Sequence, residues 1–119
     1  MFAALCDDDK YITEEIKKLL LEYAKDNRIT IDIDEFESGE ELLNSEKNYD
    51  IIVLDYQLGS TNGLTVAKEL RKRNVLSSII FLTSYPNFMI DAFEVNTFRF
   101  LLKPIICLQD IRLIKEKRE

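Results

Sequence analysis

Short apolar runs alternate with longer amphipathic stretches along nearly the whole sequence, and few folds accept that rhythm. Four runs of strand length stand at Phe2–Cys6, Ile51–Leu54, Ile79–Leu82 and Phe98–Leu102, and a fifth, Ile29–Asp34, strictly alternates Ile with Thr or Asp. Between them lie segments of helical spacing. The first places Ile12, Ile16, Leu19, Leu20, Tyr23 and Ala24 on one side and Lys and Glu on the other. Four more are expected over about 39–46, 63–73, 86–94 and 108–117, with Pro86 suited to a first helical turn. Five strands alternating with five helices predict an α/β domain with a parallel sheet covered on both faces.

Strand composition also suggests strand order. The first, third and fourth strands are apolar on both faces, as central parallel strands are. The alternating second strand and the Arg99-bearing fifth suit the edges. Right-handed crossovers then favour the order 2-1-3-4-5, a flavodoxin-like (βα)5 doubly wound fold. At 119 residues there is room for one such domain, spanning 1–119, and no linker divides it.

Charge and residue usage narrow the function. The net charge is −6 and no basic cluster occurs, so direct nucleic-acid binding by this domain is not expected. Residues 1–60 carry 16 acids and 6 bases, whereas 61–119 carry 6 acids and 10 bases, which concentrates negative charge near the first strands. The absence of His removes His-based catalysis and most zinc sites. Two Cys, at 6 and 107, make no disulfide framework and read as small core residues, and no apolar run is long enough for a membrane span; a cytoplasmic location is expected.

In an open α/β sheet, ligands bind beyond the carboxyl ends of the strands, where strand order reverses. Here that point lies between strands one and three, which end in Asp7-Asp8-Asp9 and Asp55. Asp9 reads as the cap of the helix that begins near Lys10. The carboxylates of Asp7, Asp8 and Asp55 converge, and a hard divalent cation such as Mg2+ is the natural means of relieving their repulsion. Strand four ends in Thr83-Ser84 and strand five in Lys103-Pro104, adding a hydroxyl and an ammonium. Metal ligands, a carboxylate nucleophile, a hydroxyl and a fixed cation are what acyl-phosphate formation on an Asp requires.

With these residues in view, the chain resembles the receiver domain of two-component response regulators. The resemblance rests on Asp7-Asp8, on Asp50-Ile51-Ile52-Val53-Leu54-Asp55 followed by Asn62-Gly63, on Phe81-Leu82-Thr83-Ser84, and on Leu102-Lys103-Pro104. It implies that Asp55 is the phosphoacceptor. It further implies that Asp8, Asp55 and the backbone carbonyl of Gln57 ligate Mg2+, with Asp7 acting through water. Thr83 would be the switch hydroxyl, Lys103 its cationic partner, and Phe100 the aromatic switch; a cis peptide would precede Pro104. The family's usual Leu-Pro after the phosphoacceptor is Leu58-Gly59 here, and Phe100 lacks the hydroxyl of the more usual Tyr. Gln57 and Tyr85 would flank the phosphoryl group and tune its lifetime. The segment from Ala92 to Pro104 is similar to the LytTR-type regulators, in which a DNA-binding domain follows the receiver.

The expected function is a phosphorylation switch rather than an enzyme, since catalysis would extend only to the domain's own phosphorylation and dephosphorylation. The partner is expected to be a sensor histidine kinase. The output face would be the fourth helix, fifth strand and fifth helix, with Phe88, Phe93, Phe98 and Arg99 as candidates for a homodimer contact. Transcription would be controlled through a C-terminal domain beyond Glu119. The alternatives are a stand-alone receiver, an unphosphorylated interaction module, and a Mg-dependent aspartyl phosphatase. Gln57 stands where the phosphatase would need its second carboxylate.

Overall fold

The structure, a computed structural model, describes residues 1–58, 61–73, 75–83 and 99–102, and for residues 58, 61, 83 and 99–102 the backbone alone. The elements run β1 (Phe2–Cys6), α1 (Lys10–Asp26), β2 (Asp32–Phe36), α2 (Gly39–Leu43), β3 (Ile51–Asp55), β4 (Gln57–Leu58), β5 (Thr61–Asn62), α3 (Gly63–Lys72), β6 (Ser78–Thr83) and β7 (Arg99–Leu102). β4 and β5 form a separate two-rung antiparallel hairpin; the main sheet has the order β2-β1-β3-β6-β7. Counting only the strands of that sheet, the order is the expected 2-1-3-4-5, and every neighbouring pair is parallel. The helices expected over 86–94 and 108–117 lie outside the described residues.

β3 is the centre of the molecule, and all five of its residues are buried. Because side chains alternate across a sheet, its two faces build two cores. On one face Ala4, Cys6, Ile52, Leu54, Ile79 and Phe81 pack with Leu42 of α2 and with Val66, Ala67 and Leu70 of α3. On the other, Leu5, Ile51, Val53, Ile80 and Leu82 pack under Ile16, Leu20 and Tyr23 of α1. The three-to-four-residue spacing of the α1 residues is what lets the helix lay one side against that face. The hydrophobic effect over such continuous burial is the main force holding the sheet.

Two expectations are corrected in detail, and one unforeseen element is added. The second strand pairs over Asp32–Phe36 rather than Ile29–Asp34, because Ile29 belongs to the end of α1. There its N–H bonds the Ala24 carbonyl at 2.8 Å and the Arg28 N–H bonds that of Lys25 at 3.3 Å, with Arg28 left-handed at φ 56°. This is a Schellman closure, and it uses the first Ile of the run before the sheet begins. The alternation itself holds, since Ile29, Ile31 and Ile33 all pack toward α1. The second helix stops at Leu43, with Asn44 as its C-cap, instead of continuing to Glu46. The β4–β5 hairpin was not expected.

Candidate acidic site at the carboxyl end of the sheet

Strand register sets the site. β1 and β3 pair up to Cys6 opposite Leu54, so Asp7 and Asp55 are the next residues on two adjacent strands. Asp7 is held there by its N–H to the Phe36 carbonyl, 3.1 Å away, and Tyr56 by its N–H to the Leu82 carbonyl at 3.0 Å. Asp7 and Asp55 are buried, at 4% and 6% exposure, while Asp8 is open to solvent. One carboxylate oxygen from each of Asp7, Asp8 and Asp55 lies within 4.8 Å of the others. The expected convergence is therefore present, and it arises from register, not from a flexible loop.

Backbone amides orient two of these side chains. The Asp9 N–H donates to Oδ1 of Asp7 at 2.8 Å, and the Gln57 N–H donates to Oδ1 of Asp55 at 3.2 Å. Asp9 itself turns away and caps α1, accepting from the Tyr11 and Ile12 amides at 3.0 and 3.5 Å. The Cys6 thiol registers the local field: burial first, then the charges of Asp7, Asp55, Glu41 and Asp8, push it up to about 12. A thiol that hard to ionise is an inert core group, as its sequence position suggested. Beside Asp7 a cleft of about 260 Å3 opens, lined by Glu14, Glu35 and Glu37 together with Lys10, which pairs with Glu37 at 3.3 Å.

Gly63 explains the Asn62-Gly63 pair. A Cβ at this position would stand 2.5 Å from the Asp55 carbonyl oxygen and 3.1 Å from the Tyr56 Cα, so only Gly lets α3 start against the site strand. Its N–H bonds the Tyr56 carbonyl at 2.6 Å. Behind the site, Tyr56 packs edge-on against Phe81 with ring centroids 5.7 Å apart.

The remaining expected residues are placed only in part. Thr83 stands at the carboxyl end of β6, one residue past Leu82, which is the register partner of Asp55. Phe100 lies in β7, opposite Phe81. Lys103, Pro104, Ser84, Tyr85, Cys107 and the helical parts of the expected output face, with Phe88, Phe93 and Phe98, lie outside the described residues. Sequence reasoning missed the Gln57 amide and the hairpin that carries it. The Gly59-Ser60 pair between Leu58 and Thr61 was the available signal, since Gly-Ser suits a two-residue hairpin loop.

Fold and site together define a doubly wound parallel α/β domain with a three-carboxylate crevice where its strand order reverses. The chain belongs to the response regulator receiver domain family, which it matches over residues 3–115. It is 36% identical over 105 residues to the sensory transduction protein LytT of Bacillus cereus, covering 87% of this chain and 42% of that protein. It is 33% identical over 104 residues to the transcriptional regulatory protein LytR of Staphylococcus aureus, again covering 87% and 42%. The chain thus spans less than half the length of these relatives. Among solved structures it is similar to the response regulator TrrA of Thermotoga maritima in complex with Mg(2+)-BeF, with a TM-score of 0.83, 28% identity, and coverage of 99% of this chain and 98% of that one. A CheY-like receiver domain from Methylobacillus flagellatus gives a TM-score of 0.84 at 25% identity, covering 100% and 98%. Among the described residues no helix is long and apolar enough to cross a membrane.

Proposed function

We propose that this domain is a phosphorylation-dependent switch in which Asp55 accepts a phosphoryl group from a partner histidine kinase. The observation that carries the proposal is the convergence of Asp7, Asp8 and Asp55, with carboxylate oxygens within 4.8 Å of one another at the carboxyl end of the sheet. The donor set is all oxygen, as a hard dication prefers. Oxygens sharing an octahedral Mg2+ stand roughly 3–4 Å apart, so the cluster fits the ion with small adjustments or with one group acting through water. Asp8, Asp55 and the Gln57 carbonyl would hold the ion directly and Asp7 through water. When bound, the ion neutralises charge on the carboxylates and on the phosphoryl oxygens.

In the transfer, a carboxylate oxygen of Asp55 attacks phosphorus and the bond from phosphorus to the donor nitrogen breaks. The leaving imidazole keeps the bonding pair and takes a proton from solvent. The Gln57 amide on Oδ1 limits how Asp55 can turn. The carboxyl-end position of Thr83 supports its role as the hydroxyl that donates to the new phosphoryl group; Lys103 supplies the fixed cation. The added charge, about −1.5 to −2, then drives the change at Thr83 and Phe100. That change alters the surface of the fourth helix, fifth strand and fifth helix, through which the regulator pairs with a second copy.

The name of the Staphylococcus aureus relative supports an output in transcription, and the greater length of the relatives leaves room for the DNA-binding region through which we place that output, in a longer cytoplasmic regulator. Incubating the protein with acetyl phosphate and MgCl2 is expected to add one phosphoryl group by intact mass, and Asp55→Asn to abolish the addition. Equal labelling of the variant would overturn the assignment.

A further inference from the structure

We infer that Asn62 is a positioning residue for the Asp55 carboxylate, acting through the β4–β5 hairpin; the inference rests on the phosphoacceptor reading above. Asp55 is the last residue of β3, and the Gln57 N–H donates to Oδ1 of its carboxylate at 3.2 Å. That distance is at the long end for an N–H···O bond, and Gln57 is exposed, so the contact orients Asp55 only while the amide is itself held.

The hairpin holds it. Gln57 pairs with Asn62 and Leu58 with Thr61, and the Gly63 N–H closes onto the Tyr56 carbonyl at 2.6 Å. Residues 57–62 contain no proline, and the returning limb, Thr61–Asn62, runs directly into α3. The fastening is the Asn62 side chain, whose Oδ1 accepts from the Thr65 N–H at 2.8 Å and from Thr65 Oγ1 at 3.0 Å. Asn62 is thus both the N-cap of α3 and the register partner of the residue whose amide touches Asp55. The far end of α3 is tied independently, because Arg71 Nη1 donates to the Val75 and Ser77 carbonyls at 2.7 and 3.0 Å. Losing the Asn62 cap therefore frees the hairpin while the helix body stays packed through Val66, Ala67 and Leu70.

The test compares Asn62→Ala, the cap-restoring Asn62→Ser, and Arg71→Ala, which loosens the same helix far from the site. Phosphorylation by acetyl phosphate is followed at saturating donor and MgCl2, at a temperature where all variants are folded. Asn62→Ala is expected to slow the maximal rate about tenfold, the scale for losing a group that orients a reacting ligand. Asn62→Ser should recover to within about threefold of the parent, as Ser caps nearly as well as Asn. Arg71→Ala should keep the parental rate. A parental rate in Asn62→Ala, or equal slowing by Arg71→Ala, overturns the inference; a parent protein that takes up no phosphate overturns the phosphoacceptor reading instead. Amide exchange decides the positioning role without any phosphorylation: Gln57 should exchange about tenfold faster in Asn62→Ala, and unchanged exchange sinks it. Should the Ala variant fail to fold, Asn62→Gly removes the same acceptor with a smaller cost to the helix and carries the same two readouts.

Discussion

Tyr49 shows how one hydroxyl organises the exposed edge of the sheet. It donates to Oδ2 of Asp34 at 2.7 Å, Lys47 Nζ reaches the same oxygen at 3.0 Å, and Ser45 Oγ lies 3.1 Å from the phenol oxygen. The ring meanwhile packs edge-on against Phe36 with centroids 6.1 Å apart, so the polar and apolar parts of Tyr49 both pin the connection after α2 to β2. The Tyr49 hydroxyl first, and Lys47 second, hold the Asp34 carboxyl below its ordinary value of 3.8. A carboxylate whose pKa is depressed by folding stabilises the native state above its unfolded value and loses that contribution as pH falls through the folded value. Tyr49→Phe should therefore be less stable than the parent at about pH 6, with a gap that narrows as pH drops below 3.8. Urea unfolding across that range measures it, and a gap that stays constant with pH would show that packing, not the Asp34 bond, is responsible.

At the level of elements, the end of α1 carries a conformational cost that one substitution relieves. Arg28 sits at φ 56° in the Schellman closure, a position where a Cβ costs about 1 kcal/mol and Gly costs nothing in sterics. Part of that gain is offset by the greater unfolded-state freedom of Gly. Arg28→Gly should raise stability by about 0.5 kcal/mol and move the urea midpoint upward with an unchanged slope; a lower midpoint would contradict this account. The same helix end shows which elements a sequence makes legible. β1, β3 and β6 are readable because central strands of a parallel sheet are apolar on both faces, and α1 because its apolar residues recur at helical spacing on the side it turns to the sheet. The start of β2 is not, since Ile29 fits an alternating strand and a helix closure equally well by pattern. Two-residue strands such as β4 and β5 have no period to detect. Within the site, Asp7, Asp8 and Asp55 were legible because strand ends and strand order locate them. The Gln57 amide was not, because any residue type supplies an N–H and only the hairpin decides where it points.

Taken as a whole, the molecule concentrates electrostatic cost in the crevice proposed above as its phosphorylation site. Its first sixty residues carry ten more acids than bases, and three of those acids bring carboxylate oxygens within 4.8 Å of one another, two of them on buried side chains. Like charges at such spacing, partly shielded from water, destabilise the native state relative to an unfolded chain in which they separate. Asp55→Asn keeps the shape of the side chain and removes one charge from the centre of the cluster. In metal-free buffer the variant should unfold at a higher temperature than the parent, a case of function held at the expense of stability. Adding MgCl2 at constant ionic strength should reverse the ranking's cause. A ligand that binds only the native state at about ten to a hundred times its dissociation constant contributes about 1.4–2.7 kcal/mol, and the parent should gain most of this while Asp55→Asn gains little. Two thermal unfolding curves per protein, with and without MgCl2, separate the two effects. A variant no more stable than the parent without metal would mean that the three carboxylates do not strain the fold, and that the crevice needs no cation to exist.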